Sequence, residues 1–283
     1  MPRTAPPRIA WLVVKLLATD LDGTLLRSDG TVSDRTRAAL AAAKAAGLLV
    51  VFVSGRPPRW LDEAVAETGH IGVAVGANGA VLYDCETAAI TEAFTIAPEI
   101  LADITSDLRA AFAQVSFAVE SLAGFRAEPD YVHEWRINPR VDRHGQPIPL
   151  PETGPLAELI TVPAVKLLAK DRAATADDFL AAAELLLGRR ATVTHSSSSG
   201  LLEVAAFGVT KATGLAQVAR EHGISANEIV AIGDMPNDIP MLQWAGMSYA
   251  VGNAHPAARA AANAVIGTND EDAVAHLIES LLG

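Results

Sequence analysis

Apolar residues recur along this chain in two alternating rhythms. Over 12–18, six of seven positions are apolar and only Lys15 breaks the run, so a buried strand is predicted there, ending at Asp20 and Asp22. Ser33 or Asp34 can cap a helix that runs through Lys44 and closes at Gly47. "LLVVFVS" (48–54) is continuously apolar, the mark of a strand covered on both faces. Pro57 or Pro58 opens a second helix that stops at Gly69. "IGVAV" (71–75) then reads as a third strand, with "NG" (78–79) as a hairpin turn into "AVLY". This β-α-β-α-β order with short loops predicts a parallel, doubly wound α/β sheet, Rossmann-like in type.

The same rhythm returns near the carboxyl end. Thr210 opens a helix that Gly223 closes, and "IVAIGD" (229–234) makes a strand. A helix over 237–245, a strand at "SYAV" (248–251), a helix from about Pro256, "AVIG" and a last helix behind a Thr268…Glu271 capping box complete the segment. Between the two segments the pattern changes. A helix from Pro98 leads to the strand-like runs "VSFAVES" and "GFRAE", and residues 129–155 hold six of the sixteen prolines and read as loop. "VKLLAK", a helix from Thr175, "ATVTH" and "LLEVA" follow, with "SSSS" (196–199) as a turn between two strands. The expected organisation is therefore a core built from 1–83 and 208–283, interrupted by an inserted α+β domain at 84–207.

Composition narrows the function. Of the 283 residues, 50% are hydrophobic and 19% charged, as in a globular protein with a sizeable core. Lys and Arg number 22 against 33 Asp and Glu, a net charge of −11 that argues against a nucleic acid or an anionic membrane surface as partner. An anionic ligand would need local attraction. The lone Cys85 excludes an intramolecular disulfide framework and fits a reducing compartment; beside the insert boundary it reads as inert. No zinc-ligand spacing occurs. Arg3 and Arg8 ahead of an apolar run do not make a signal peptide, since Lys15 interrupts the run and cleavage would fall beside Asp20. No stretch approaches a membrane span. The expectation is a cytoplasmic protein, a monomer or small homo-oligomer, with residues 1–10 as a short tail.

Charged carboxylates at the end of a dry strand are costly unless something binds them. Asp20 and Asp22 sit where open α/β sheets bind ligands, and Gly23 permits a turn that brings both toward one small ligand. "SGR" (54–56) and "GDMPND" (233–238) end their strands at the same rim. Lys211, the only lysine after Lys170, starts a helix, so its ammonium and free backbone N–H groups would face one anion. A hard divalent cation would neutralise the carboxylates, while Ser54, Lys211 and the helix end would hold a phosphate. Each motif alone has an ordinary reading: a turn pair, acids at a helix start, a surface lysine. His133, Glu134, Trp135 and Arg136 are candidate substrate contacts in the insert, although polar loop residues are mostly just solvated.

"DLDGTLL", "SGR", the "GVTK" lysine and "GDMPNDIPM", in that order, resemble the haloacid dehalogenase superfamily. "ANGA" (77–80) and "LLEVAAFGVTKATGL" resemble its Cof-type sugar-phosphatase-like subfamily. The resemblance covers nearly the whole chain beyond the first dozen residues. It implies a core of that superfamily's type with an inserted α+β cap, and a Mg²⁺-dependent phosphatase acting on a small phosphate ester through an aspartyl-phosphate. Asp20 would be the nucleophile and Asp22 the general acid and base. Mg²⁺ would be bound by Asp20, the backbone carbonyl of Asp22, Asp234 and a phosphate oxygen, with Asp238 binding it through water or orienting Lys211. Ser54, Lys211 and the N–H groups near Leu21 and Gly55 would stabilise phosphoryl oxygens, and Asn237 would bond phosphate or a ligated water. An aspartate at position 22 points to phosphate esters, by phosphatase or phosphomutase chemistry. A catalytically silent phosphate-binding protein is a further reading, whereas a dinucleotide oxidoreductase would need the glycine fingerprints that the chain lacks.

Overall fold

The computed structural model describes residues 14–69, 72–132, 151–196 and 200–283. The core strands are β1 (Leu16–Thr19), β2 (Leu49–Val53), β3 (Val73–Gly76), β4 (Val81–Asp84) and β5 (Ala89–Ala93). In the insert lie β6 (Ser116–Ser121), β7 (Gly124–Ala127), β8 (Glu152–Thr153), β9 (Ala164–Lys170), β10 (Ala191–Thr194) and β11 (Leu201–Ala206). The core resumes with β12 (Ile229–Gly233), β13 (Met247–Ala250) and β14 (Ala264–Val265). The helices are α1 (Asp34–Ala45), α2 (Pro58–Thr68), α3 (Pro98–Ala111), α4 (Leu156–Leu159), α5 (Ala176–Leu187), α6 (Lys211–Glu221), α7 (Ile239–Trp244), α8 (Pro256–Ala261) and α9 (Ala273–Leu282).

The core sheet runs β14-β13-β12-β1-β2-β3-β4-β5, parallel from β14 to β3 and antiparallel from β3 to β5. β1 and β12 lie side by side, Leu16 opposite Ile229, so the two segments of the chain share one sheet at its centre. Leu16, Leu17, Ala18, Val51, Phe52, Ala231 and Ile232 are all fully buried, as a sheet covered on both faces requires. Ser33 caps α1 by accepting from the Thr36 N–H, and Thr210 caps α6 through Thr213.

Four expectations need correction. The core does not end at Tyr83: β5 pairs with β4, so the first segment runs to Ala93 and the insert opens ten residues later than the hydrophobic pattern suggested. That edge strand is largely exposed and alternates weakly, which hides it in the sequence. Secondly, 78–79 is not a two-residue turn. The last β3–β4 pair is Gly76 with Val81, and the loop takes its left-handed bend at Ala77 (φ 49°) and Asn78 (φ 59°). Gly79 is reserved for packing, because a Cβ there would lie 2.0 Å from the Thr210 carbonyl oxygen. Finally, the Thr268–Glu271 box caps a 3₁₀ turn, Asn269–Glu271, and α9 starts only after Asp272 at φ 55°. Similarly, the helix expected over 237–245 divides into a 3₁₀ turn, Pro236–Asp238, and α7.

The second sheet runs β10-β11-β9-β6-β7-β8. Its strands alternate with period two. Phe117, Val119, Leu167, Leu202 and Val204 pack under α3 and α5. The intervening positions Glu120, Lys166 and Glu203 therefore turn the other way, and each is nevertheless buried. Their partners lie partly in the core: Arg59 of α2 pairs with Glu120, and Lys166 reaches the Gly55 carbonyl oxygen. Cys85 is buried, and burial pushes its thiol up to about 11, which keeps it protonated and unreactive. Among the described residues, no helix is long and apolar enough to cross a membrane.

Candidate active site

The carboxyl ends of β1, β2 and β12 and the amino end of α6 meet at one rim. Asp20 follows β1, Ser54 follows β2, Asp234 follows β12 and Lys211 opens α6. Lys211 is 1% exposed and is fixed from both sides, its Nζ donating to Asp20 Oδ1 at 2.6 Å and to Asp238 Oδ1 at 2.6 Å. The helix is seated by close contacts that only glycine allows. A Cβ on Gly214 would stand 2.6 Å from Val75 Cγ1, and one on Gly79 would strike Thr210. Asp238 is fully buried, and its second oxygen accepts from the backbone N–H of Asp234 and of Met235, each at 2.9 Å. Gly233 makes room for that carboxylate, since a Cβ there would lie 2.5 Å from its Cγ.

Oxygens of Asp20, Asp234 and Asp238 lie within 4.8 Å of one another. Three buried carboxylates share a single ammonium, and their ionisation shows the imbalance. Burial drives Asp20 well above the usual carboxylate range; Lys211 opposes this, and Asp238, Asp234 and Asp22 add to it. Asp234 is pushed up to about 7, chiefly by burial and then by Asp238, against the pull of Lys211 and of the Thr24 hydroxyl that donates to it at 3.1 Å. Burial pulls Lys211 down, yet Asp20 and Asp238 outweigh it and hold the ammonium above its ordinary value. The cluster thus holds more negative charge than Lys211 alone offsets. A donor set made only of oxygens, with excess negative charge, fits a hard divalent cation such as Mg²⁺. Gly23 (φ 78°) keeps the approach open, because a Cβ there would sit 2.5 Å from Asp234 Oδ2.

Asp22 lies apart from this cluster. Its side chain is 58% exposed, and the Arg56 guanidinium grips it as a fork, Nε to Oδ2 at 2.8 Å and Nη2 to Oδ1 at 2.6 Å. Any metal contact from Asp22 would come from its backbone, as the resemblance implied. Ser54 is buried, its Oγ accepts from the Arg56 N–H at 3.1 Å, and its carbonyl accepts from the Asn78 N–H. Asn237 donates from Nδ2 to Asn78 Oδ1 at 3.1 Å, while its Oδ1 is buried without a partner among the described residues. Leu21 is buried in the turn that carries Asp22, and Gly55 lies under the insert, Glu203 Oε1 being 3.5 Å from where a Cβ would stand. Of the expected site residues, Asp20, Asp234, Asp238 and Lys211 are therefore in direct association, with Ser54, Gly55 and Asn237 linked around Asn78.

Several members of the site escaped sequence reasoning. Thr24, Asn78, Lys166 and Glu203 are one group; the signal for the last two was a single charge inside an otherwise apolar strand, in "VKLLAK" and "LLEVA". Asp177 of α5 is another: it bonds the buried His195 ring at 2.9 Å and stands 3.6 Å from His255 of the core, whose backbone N–H donates to the Asp234 carbonyl oxygen. A cavity of about 250 Å³ opens beside Lys211 and Asn237, with Leu180, Val193 and Ala205 on the insert side. His133, Glu134, Trp135 and Arg136, together with 197–199 of the serine run, lie outside the described residues.

Known proteins are similar to this chain in sequence and in fold. The family model described as haloacid dehalogenase-like hydrolase matches residues 17–278. A pyridoxal phosphate phosphatase, YbhA of Escherichia coli (strain K12), is 31% identical over 287 residues, 96% of this chain and 100% of its own length. The 5-amino-6-(5-phospho-D-ribitylamino)uracil phosphatase YcsE of Bacillus subtilis (strain 168) is 28% identical over 268 residues, covering 94% of each chain. A solved haloacid dehalogenase-like hydrolase from B. subtilis superposes with a TM-score of 0.77 at 26% identity, over 94% of this chain and 99% of the other. The family match spans almost the whole described chain and YbhA is 31% identical along it, so this chain belongs to the haloacid dehalogenase-like hydrolases.

Proposed function

We propose that the protein hydrolyses a small phosphate monoester through an aspartyl-phosphate formed on Asp20, with Mg²⁺ as cofactor. The observation that carries this reading is the setting of Asp20, a buried carboxylate held by Lys211 beside Asp234, with Asp22 two residues on at the rim. An Asp20 oxygen attacks phosphorus as the bond from phosphorus to the ester oxygen breaks, and Asp22 delivers a proton to the departing alcohol. Water deprotonated by Asp22 then attacks phosphorus, releasing inorganic phosphate and restoring Asp20. Asp20, Asp234 and the Asp22 carbonyl would hold the cation, whose charge offsets the excess negative charge of carboxylates and phosphoryl group.

The remaining residues bind and orient. Lys211 brings a compact positive charge, while the Ser54 hydroxyl and the N–H groups of Leu21 and Gly55 donate to phosphoryl oxygens. Asn237 adds a polar contact beside them. Asp238 has both oxygens engaged, one with Lys211 and one with backbone N–H groups, so its part is to aim Lys211. Arg56 fixes the direction of Asp22. The insert acts as a cap that shapes the leaving-group pocket, and its Leu180, Val193 and Ala205 close one side of the cavity beside Lys211. The two named relatives act on different esters, so the common class is a small phosphate monoester. The test is release of inorganic phosphate from a panel of phosphate monoesters, with Mg²⁺ and after rigorous chelation. Turnover that needs Mg²⁺ supports the reading, and turnover unaffected by chelation removes the metal from it. Rearrangement of a substrate without phosphate release would make the enzyme a mutase.

A further inference from the structure

We propose that Lys166 of the insert is a positioning residue for phosphoryl transfer, acting through the Gly55–Arg56 peptide on the hydroxyl of Ser54. This rests on the phosphatase reading above. Lys166 stands on β9, on the sheet face turned toward the core, and its Nζ donates to the Gly55 carbonyl oxygen at 2.5 Å. The same peptide group carries the Arg56 N–H, which donates to Ser54 Oγ at 3.1 Å. With that lone pair of Oγ engaged, the hydroxyl hydrogen of Ser54 is kept off the Arg56 N–H side and left to donate to a phosphoryl oxygen. Hydrogen bonds in series polarise one another in a low dielectric, so the ammonium on Gly55 strengthens the bond that aims Ser54.

The neighbouring carbonyls of the loop are held from the core: the Asn78 N–H donates to the Ser54 carbonyl and the Ala77 N–H to the Arg56 carbonyl. Gly55 is the one carbonyl of the three that is gripped from the insert. The pairing of Lys166 with Glu203 Oε1, also at 2.5 Å, points the same way. Both residues are buried, and a buried ion pair is a poor source of stability because desolvation offsets its attraction. What the pair supplies is a charge delivered to one fixed atom. Burial opposes ionisation of Glu203, but Lys166 and the surrounding hydrogen bonds hold it below the usual carboxylate range, so Lys166 keeps a carboxylate partner that aims it. The contact on Gly55 comes from the insert, so the position of the insert bears directly on the loop that carries Ser54.

The experiment is a double-mutant cycle between Lys166→Met and Ser54→Ala, read with a small aryl phosphate whose leaving group makes little use of the cap. Lys166→Met should lower kcat/KM about tenfold, and Ser54→Ala by at least as much. The combined variant should fall no more than about twofold below Ser54→Ala, because residues acting as a unit are not additive. Lys166→Met leaves Glu203 buried and unpaired, so Lys166→Met/Glu203→Gln, which removes both charges, is run beside it and should show the same loss. Multiplicative effects in the cycle, or Lys166 variants with unchanged kcat/KM, overturn the proposal. Wild-type protein in the same assay separates the two readings: Mg²⁺-dependent turnover there upholds the phosphatase assignment whatever the cycle shows, and its absence defeats that assignment first.

Discussion

Asp234→Asn is expected to stabilise the metal-free protein at about pH 8 and to abolish its stabilisation by Mg²⁺. In the native protein Asp234 titrates at about 7 instead of 3.8. Between those values the native state keeps a proton that the unfolded chain has released, so this group's contribution to stability falls as pH rises through the window. A shift of three units amounts to about 4 kcal/mol at about 1.4 kcal/mol per unit. That is a ceiling, because Asp20, Asp234 and Asp238 share one deficit of positive charge, and removing one carboxylate lets the others ionise more easily. A gain of about 1–3 kcal/mol is therefore expected above the window. Asparagine is nearly isosteric, and its Oδ1 can still accept from the Thr24 hydroxyl. The assay is urea unfolding in EDTA at about pH 5 and about pH 8, repeated with Mg²⁺. At the lower pH the gain should shrink to roughly a third, since pH 5 lies only about a unit above the unfolded value of 3.8 and the penalty accumulates from there up to about 7. Mg²⁺ should raise the wild type alone. A variant less stable than wild type at pH 8 in EDTA, or a gain equal at both pH values, would refute the electrostatic account.

Asp20→Asn should reduce phosphate release at least about a thousandfold, since an amide cannot serve as the nucleophile. It should bring a smaller stability gain than Asp234→Asn, because burial holds Asp20 above the usual carboxylate range but Lys211 is left with Asp238 as its only paired carboxylate; chemical denaturation beside a turnover assay checks both. Lys211→Ala leaves Asp20 and Asp238 buried without their shared cation and should cost about 3–5 kcal/mol of stability as well as activity. Unchanged unfolding midpoints would show that the ion pairs are not held as described. Gly23→Ala must fit a Cβ 2.5 Å from Asp234 Oδ2 at a left-handed backbone angle. It should weaken Mg²⁺ binding, measured by calorimetry, more than it lowers the unfolding midpoint.

The catalytic rim was legible because its residues punctuate apolar runs. Asp20, Ser54 and Asp234 each stand just past a strand, and Lys211 stands at a capped helix start; those positions follow from periodicity. The β5 edge strand was not legible, since Ala89–Ala93 is mostly solvated and its place depends on a neighbour. Asn78 and Gly79 announced a turn, but their actual geometry is dictated by the approach of α6, a contact between segments far apart in the chain. Lys166, Glu203 and Asp177 were invisible as site members for a related reason. Which strand face turns toward the core is decided by packing of the insert, and single charges in strands do not announce their partners.

The pairing of β1 with β12 has a consequence for how activity arises during synthesis. Asp20 and Lys211 are separated by 191 residues, and the strand that carries Asp234 comes later still. When the ribosome has delivered β1 to β5, the edge of β1 that will receive β12 has no partner, and Asp20 has neither the Lys211 ammonium nor the neighbouring Asp234. The intervening segment can bury its own apolar face beneath α3 and α5 while the central gap stays open. Closing that gap requires a long loop to be brought together, a slow step at which an unpaired strand edge is exposed to other chains. Chemistry thus appears last and all at once. A nascent chain halted before Ile229 would be stable in parts, prone to association, and unable to turn over substrate.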